Sequence, residues 1–329
     1  MNLRLTALAA VLATAAATTL AGCGGDGGSA SAAADGTVTL RVGDQKGASI
    51  RSLLGAAGEL NGTAYKISWS QFTSGPPILE AVNAGAVDFG SVGNTPPIFA
   101  AAARSKIVIV GATDIRLDGQ AILVPKGSAL RSPAELRGKK VAVAKGSSAH
   151  GHLLNVLKKN GLDLSQIQAQ YLQPSDALAA LSSGRIDAWA TWEPYTAQAE
   201  AQTGARILVN GTGYINGYGF QITSRKALDD KGRTAALKDF LARCRRAVLW
   251  SNAHQKQWAA IWAKDTGLPL PVAQKAVERR LARVVPLDAA VTSAEQQLAN
   301  TFTDADVLPG KVEIADFVDP RFNGTVPVS

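Results

Sequence analysis

The stretch Leu79-Glu80-Ala81-Val82-Asn83-Ala84-Gly85-Ala86-Val87-Asp88 has a counterpart 99 residues later, Leu178-Ala179-Ala180-Leu181-Ser182-Ser183-Gly184-Arg185-Ile186-Asp187. Both spell Leu-x-Ala-x-x-x-Gly-x-x-Asp, a helix stopped by glycine and followed by a strand. The same shift lays Val42 on Val141, Lys46-Gly47-Ala48-Ser49 on Lys145-Gly146-Ser147-Ser148, and Gln71-Phe72 on Gln170-Tyr171. No single match carries weight, but the register holds without a gap across separated segments. The chain therefore reads as two lobes of similar α/β topology with a cleft between them.

Outward from the repeat, residues 37–42, 65–71, 87–91 and 140–144 read as strands, and 77–84 as a helix stopped by Gly85. Ser132-Pro133-Ala134-Glu135 is a capping box with proline at the first helical position. A further helix runs from about residue 149 to 160 and is closed by Gly161. Strands alternating with helices predict parallel sheets. From about residue 234 to 303 the pattern becomes helix after helix.

With 329 residues, 46% of them hydrophobic, the chain can fill two cores of the usual ~100–150 residues. Two cysteines, Cys23 and Cys244, exclude a disulfide scaffold and a CxxC-type zinc site. Three histidines (His150, His152, His254) leave little for a metal centre, and no metal or cofactor is expected. Residues 1–23 read as a signal segment: Arg4, an apolar run over 5–20, and Leu20-Ala21-Gly22-Cys23, which resembles a lipobox with Cys23 acylated. An ordinary secretory peptide with an incidental cysteine is the alternative. Residues 24–36 form a Gly/Ser-rich tether. The expectation is an exported protein, lipid-anchored at the outer face of the cytoplasmic membrane, in a periplasm or cell-wall space.

Removing residues 1–36, which hold Arg4, Asp26 and Asp35, leaves 33 basic against 24 acidic residues. This excess suits an anionic ligand or surface. The knots Arg243–Arg245–Arg246 and Glu278–Arg279–Arg280 read as solvated helix faces. No basic tract carries interleaved aromatics, so nucleic acid is not expected as a partner.

Four strand-to-helix turns share a chemistry: Gln45-Lys46-Gly47-Ala48-Ser49, Thr73-Ser74-Gly75-Pro76-Pro77, Gly93-Asn94-Thr95-Pro96-Pro97 and Gly146-Ser147-Ser148. Ligands of open α/β sheets sit beyond the carboxyl ends of the strands, and helix starts favour anions through unpaired N–H groups. Taken singly, each turn is also a good helix cap. Together they point to an oxyanion site.

The body from about residue 38 to 224 resembles the aliphatic sulfonate-binding proteins of bacterial ABC importers, within the nitrate-, sulfonate- and taurine-type solute receptors. The resemblance rests on Gln45-Lys46-Gly47, Ser74-Gly75-Pro76-Pro77, Asn83-Ala84-Gly85-Ala86-Val87-Asp88-Phe89-Gly90 and Val92-Gly93-Asn94-Thr95-Pro96-Pro97. It continues through Ala121-Ile122-Leu123-Val124-Pro125-Lys126, Leu136-Arg137-Gly138-Lys139-Lys140-Val141-Ala142, Lys145-Gly146-Ser147-Ser148-Ala149-His150, Asp187-Ala188-Trp189 and Trp192-Glu193-Pro194-Tyr195. It implies a type II periplasmic-binding-protein fold: two α/β lobes around a cleft, with a helical C-terminal extension. Lobe 1 is expected over 37–122 plus 213–329 and lobe 2 over 123–212, with crossings near 120–124 and 210–216. Asn94, Gln120 and Ser148 depart from the family pattern, where acidic residues and asparagine are usual.

What the resemblance implies is capture of an alkyl sulfonate and its delivery, by a monomer, to a permease and its ATPase. Head-group donors are then expected from Ser74, Gly75, Gly93, Asn94, Thr95, Ser147 and Ser148, with Gln45 and Gln120 nearby. Trp192 is the leading cover for the tail, with Phe72, Tyr218 and Phe220 behind it; Phe72 and Phe220 read more readily as core. His150 stands at a helix start, where it either lines the cleft or serves the surface or the cap. Glu193 either serves its own helix start or meets a ligand amine. Receptors of the same fold for nitrate, taurine or a thiamine pyrimidine precursor are the alternatives. A desulfinase-type enzyme would need an activated cysteine. Cys244 instead falls in the apolar stripe Leu237, Phe240, Leu241, Cys244, Val248 and reads as core, so no catalytic residue is expected.

Overall fold

The computed structural model describes residues 37–325; the expected signal segment, tether and Cys23 lie outside the described residues. The strands are β1 (Thr39–Gln45), β2 (Lys66–Phe72), β3 (Phe89–Gly93), β4 (Ile107–Ile115), β5 (Ala121–Val124) and β6 (Lys140–Val143). They continue with β7 (Gln168–Tyr171), β8 (Ala188–Thr191), β9 (Arg206–Asn210), β10 (Tyr218–Ser224) and β11 (Ala282–Val285). The helices begin with α1 (Ile50–Ala56), α2 (Gly75–Asn83), α3 (Thr95–Ala102), α4 (Ser148–Lys159), α5 (Pro174–Ser182) and α6 (Tyr195–Thr203). The rest are α7 (Arg225–Asp229), α8 (Lys231–Ala253), α9 (Gln255–Thr266), α10 (Leu270–Glu278) and α11 (Ala289–Asp304).

One sheet has the order β11-β4-β10-β3-β1-β2 and the other β7-β6-β8-β5-β9. The chain passes from the first to the second after β4 and returns before β10, so the first sheet is discontinuous in sequence. The sheets are mixed, not parallel as expected. β1 pairs in parallel with β2 and β3, but β10 runs antiparallel to β3 and β4, and β5 antiparallel to β8 and β9. The antiparallel strands β5 and β10 are those that arrive from the other sheet, so no crossover helix sets their direction.

The sequence repeat has a physical counterpart. Val42 stands opposite Phe89 and Val141 opposite Ala188, a spacing of 47 in both lobes. Asp88 accepts the Arg41 backbone N–H at 3.0 Å, and Asp187 accepts that of Lys140 at 2.8 Å. Gly85 and Gly184 end α2 and α5 with φ of 71° and 67°, left-handed values that only glycine takes readily. The gapless register fails at one place. Asp44 faces Gln71, whereas its equivalent Val143 faces Tyr171, not Gln170. Lobe 2 has one extra residue before β7 and takes it out again in the turn to α5.

The capping box of 132–135 closes a single 3-10 turn, Pro133–Leu136, where Ser132 N–H donates to Glu135 at 2.9 Å. In the first lobe, Leu40, Val42, Phe89, Val108 and Val110 pack under Leu237, Phe240 and Leu241 of α8. Phe89 and Phe240 meet edge to face at 4.9 Å. The C-terminal helices also reach the second sheet's helices. Phe302 and Leu298 of α11 pack on Ile98 of α3 and Leu154 of α4. Ala197 of α6 packs among Trp258, Trp262 and Val277 of α9 and α10.

The solvated reading of the arginine knots is overturned at both places. Arg245 is 3% exposed and binds the Phe322 carbonyl and the Thr325 hydroxyl, tying the C-terminal turn to α8. Arg243 holds the Glu59 and Asn61 carbonyls, and Arg246 pairs with Glu59. The knot is a clasp between α8 and the loop after α1. The second knot belongs to the cleft.

Candidate functional site

A cavity of about 100 Å³ lies between the sheets, at the ends of β1, β3 and β10 and the starts of α2 and α4. Gln45, Gly75, Gly93, Asn94, Gln120, Ser147, Ser148, Trp192, Glu193 and Tyr218 line it, all residues named from the sequence. The approach is close. A Cβ on Gly93 would sit 2.8 Å from Cβ of Ser148, and one on Gly47 2.9 Å from the Trp192 indole nitrogen.

Three named residues do not line it. The buried Ser74 hydroxyl donates to Gln173 Oε1 at 3.1 Å. That of Thr95 donates to Asn94 Oδ1 at 3.0 Å. His150 turns into the protein, packing against Phe99, Tyr171 and Phe302 while its Nδ1 accepts the Gly146 N–H at 3.2 Å. Of the weaker tail candidates, Phe220 is core and Phe72 packs at the edge of that core.

Several expected donors are already engaged. Asn94 Nδ2 binds the Asn216 carbonyl and side-chain oxygens at 3.1 and 2.9 Å. Gln45 Nε2 donates to Ser91 O at 2.9 Å, and Gln120 Nε2 to Ser148 O at 2.7 Å, so each keeps one free N–H. The Ser147 hydroxyl is held by Ala144 O at 2.7 Å. The helix starts also give less than expected. Asp44 takes the N–H groups of Gln45, Ile50 and Arg51 at 2.8, 2.9 and 3.1 Å, so a protein carboxylate already occupies the start of α1. Burial pushes the Asp44 pKa up against those three bonds. Pro76 and Pro77 in α2, and Pro96 and Pro97 in α3, have no N–H to give. The start of α4 has no such gap.

The group that sequence reasoning missed is cationic. Arg116, Arg279 and Arg280 line the cavity. Arg116 pairs with Asp118, and Arg279 holds Glu200 at 2.6 Å and Glu193 at 3.3 Å. Arg280 makes no ion pair or hydrogen bond among the described residues. Burial pulls its pKa down to about 10, with Glu193 and Asp44 opposing at a distance, so it remains charged at neutral pH. Among the described residues, Glu193 is the one acidic residue lining the cavity. Its Oε2 accepts the Ala197 N–H at 3.1 Å, serving its own helix start, and burial raises its pKa to about 7. Trp192 packs edge-on to Tyr195 at 5.7 Å. Among the described residues, the cleft thus offers a free guanidinium, the Ser148 and Tyr218 hydroxyls and the Trp192 indole, and no free carboxylate.

Residues 73–258 match the family described as NMT1/THI5 like. A relative in Escherichia coli (strain K12), named for binding aliphatic sulfonates, is 39% identical over 279 residues, covering 84% of this chain and 86% of its own. The chain belongs to the aliphatic sulfonate-binding protein family. The solved alkanesulfonate-binding protein SsuA of Xanthomonas axonopodis pv. citri, bound to MOPS, is 36% identical with a TM-score of 0.79, over 86% of this chain and 98% of that one. The periplasmic aliphatic sulphonate binding protein SsuA of Escherichia coli has a TM-score of 0.76 at 37% identity, over 86% and 92% of the two chains. A desulfurization enzyme shares the fold at a TM-score of 0.61, but only 17% of its residues, which carries nothing about chemistry. Cys244 packs against the α8 core, with burial pushing its thiol pKa up, the reverse of what a nucleophile needs. No group of His, Cys, Asp and Glu suited to a metal occurs among the described residues.

Proposed function

We propose that this protein captures an aliphatic sulfonate in the cleft outside the cytoplasm and delivers it, as a monomer anchored through Cys23, to the permease and ATPase of an ABC importer. In this reading the lobes move about the passages between the sheets, residues 116–120 between β4 and β5 and 211–217 between β9 and β10. The observation that carries the ligand reading is the unpaired Arg280 guanidinium in a cleft whose lining carboxylate, Glu193, is bound by Arg279 and Ala197. A sulfonate is anionic at all relevant pH values, has three acceptor oxygens and no proton to give. It suits one guanidinium, the Ser148 and Tyr218 hydroxyls and the free amide hydrogens of Gln45 and Gln120. Taurine would add an ammonium, for which no unengaged carboxylate lines the wall among the described residues.

A hydrogen bond to a charged group is worth ~1.5–3 kcal/mol, or roughly 10- to 150-fold in affinity. Arg280→Gln should therefore weaken ethanesulfonate binding by at least about tenfold in titration calorimetry, with little change in unfolding temperature. Unchanged affinity would place the head group elsewhere.

A further inference from the structure

Behind the cleft lies a second cavity of about 90 Å³, between the first sheet and helices α8, α9 and α10. Its wall is largely hydrocarbon, with Leu53, Leu54, Phe89, Val248, Trp258 and Trp262 on it. The nearby polar groups turn to the backbone: Ser251 donates to Val248 O at 2.8 Å, Asn252 to Ala282 O at 2.6 Å and Thr113 to Gly219 O at 3.3 Å. The Gln221 Oε1 is a buried exception, without a partner among the described residues. Ala48, Ser91, Ile115 and Arg280 line both this cavity and the cleft. They form one partition between an anion-suited space and an apolar one, and the unpaired arginine belongs to it. An arginine at such a place can turn its guanidinium to the polar side and its methylenes to the apolar side.

We propose that this second chamber receives the ligand's aliphatic tail and so sets which chain lengths are bound. The proposal rests on reading the cleft as a sulfonate site. The head group stays with Arg280 and Ser148 while the tail passes beside the Arg280 stem, towards Leu54 and Trp258. Trp192 then borders the head group instead of covering the tail. An apolar cavity of ~150 Å³ holds benzene, so about 90 Å³ corresponds to a tail of about four carbons.

Titration calorimetry with methane-, butane- and octanesulfonate tests this on the unaltered protein and on two variants that fill the chamber from α8, Ser251→Leu and Ala247→Val. Affinity should rise by about fourfold per methylene up to butanesulfonate and then level off. In the variants butanesulfonate should fall towards the methanesulfonate value while methanesulfonate itself is unchanged. A chain-length rise that both variants leave intact, or equal affinity at every length, would overturn the chamber and spare the sulfonate reading. Failure of even methanesulfonate to bind the unaltered protein would overturn both. A crystal structure with butanesulfonate gives the answer without a variant: carbons between Leu54 and Trp258 support the proposal, and carbons against Trp192 in the cleft refute it.

Discussion

Ser74 and Gln173, 99 residues apart, meet across the cleft, the Ser74 hydroxyl donating to Gln173 Oε1 at 3.1 Å. Each stands at the N-cap of its own helix, α2 and α5, and neither uses its side chain to cap it. Two equivalent positions of the repeat have thus exchanged a local cap for a contact between lobes.

That contact exists only while the lobes are together. A neutral hydrogen bond contributes ~0.5–1.5 kcal/mol net, so Ser74→Ala should weaken ligand binding by roughly two- to tenfold. Because neither helix loses a cap, the unfolding temperature without ligand should barely move. Calorimetry checks the first and a thermal scan the second; an unaltered dissociation constant would show that this bond does not favour closure.

Gly93→Ala should act more strongly, since its new Cβ would fall 2.8 Å from Cβ of Ser148, a distance real side chains essentially never show. The clash is between lobes, so folding should survive while affinity drops by at least about tenfold. Adding Ser148→Gly removes the opposing atom and should restore part of the loss. Ser148→Gly alone sets the reference, because it also removes a cleft hydroxyl. If it loses as much as Gly93→Ala and the two losses simply add in the double variant, the effect of Gly93→Ala lies within lobe 1.

Two buried histidines make stability depend on pH. Burial pulls the pKa of His150 and of His152 down to about 4, against 6.5 unfolded. Between those values the unfolded chain binds protons that the folded chain refuses, so stability falls as pH drops from 6.5 towards 4. The full loss is up to about 3 kcal/mol per histidine. Glu193, raised to about 7, works the other way and gains stability from pH 7 down to its unfolded range. Buried Glu295, whose carboxyl burial also raises, adds to that opposing trend. His150→Phe should therefore reduce the stability lost between pH 7 and 5 by about 2 kcal/mol in urea unfolding. The same loss in both proteins would show that His150 titrates normally.

Glu193 also links ligand to proton. An anion bound beside it disfavours its charged form, so binding should take up a proton and tighten as pH falls through about 7. Calorimetry in buffers of different ionisation enthalpy measures that uptake directly. Glu193→Gln should flatten the dependence; proton release in the unaltered protein would contradict the assignment.

The fold was legible because its signals are local and occur twice. Gly85 and Gly184 stop helices, and Asp88 and Asp187 hold the strand beside them, whatever the rest of the chain does. β4, β11 and the antiparallel entry of β10 carry no such mark, since their direction depends on which sheet the chain has come from. The polar wall of the cleft was half legible. Turn composition marks where Gly93 and Ser148 stand, but not that Asn94 is committed to Asn216 or that Asp44 fills the start of α1. Arg280 was hidden altogether. It follows an amphipathic helix that packs on α9, it lines the cleft from the turn after that helix, and its sequence neighbours Glu278 and Arg279 suggest solvent.

Thermal unfolding against a ligand panel tests the central claim most directly. The panel holds methane- to octanesulfonate, taurine, sulfate, nitrate and an arylsulfinate assayed for released sulfite. At ~100 times the dissociation constant a ligand adds ~2.7 kcal/mol, a rise of several degrees. The account predicts that rise for alkanesulfonates, varying with chain length, with no sulfite formed. A rise confined to nitrate or taurine, or sulfite released from the arylsulfinate, would contradict it.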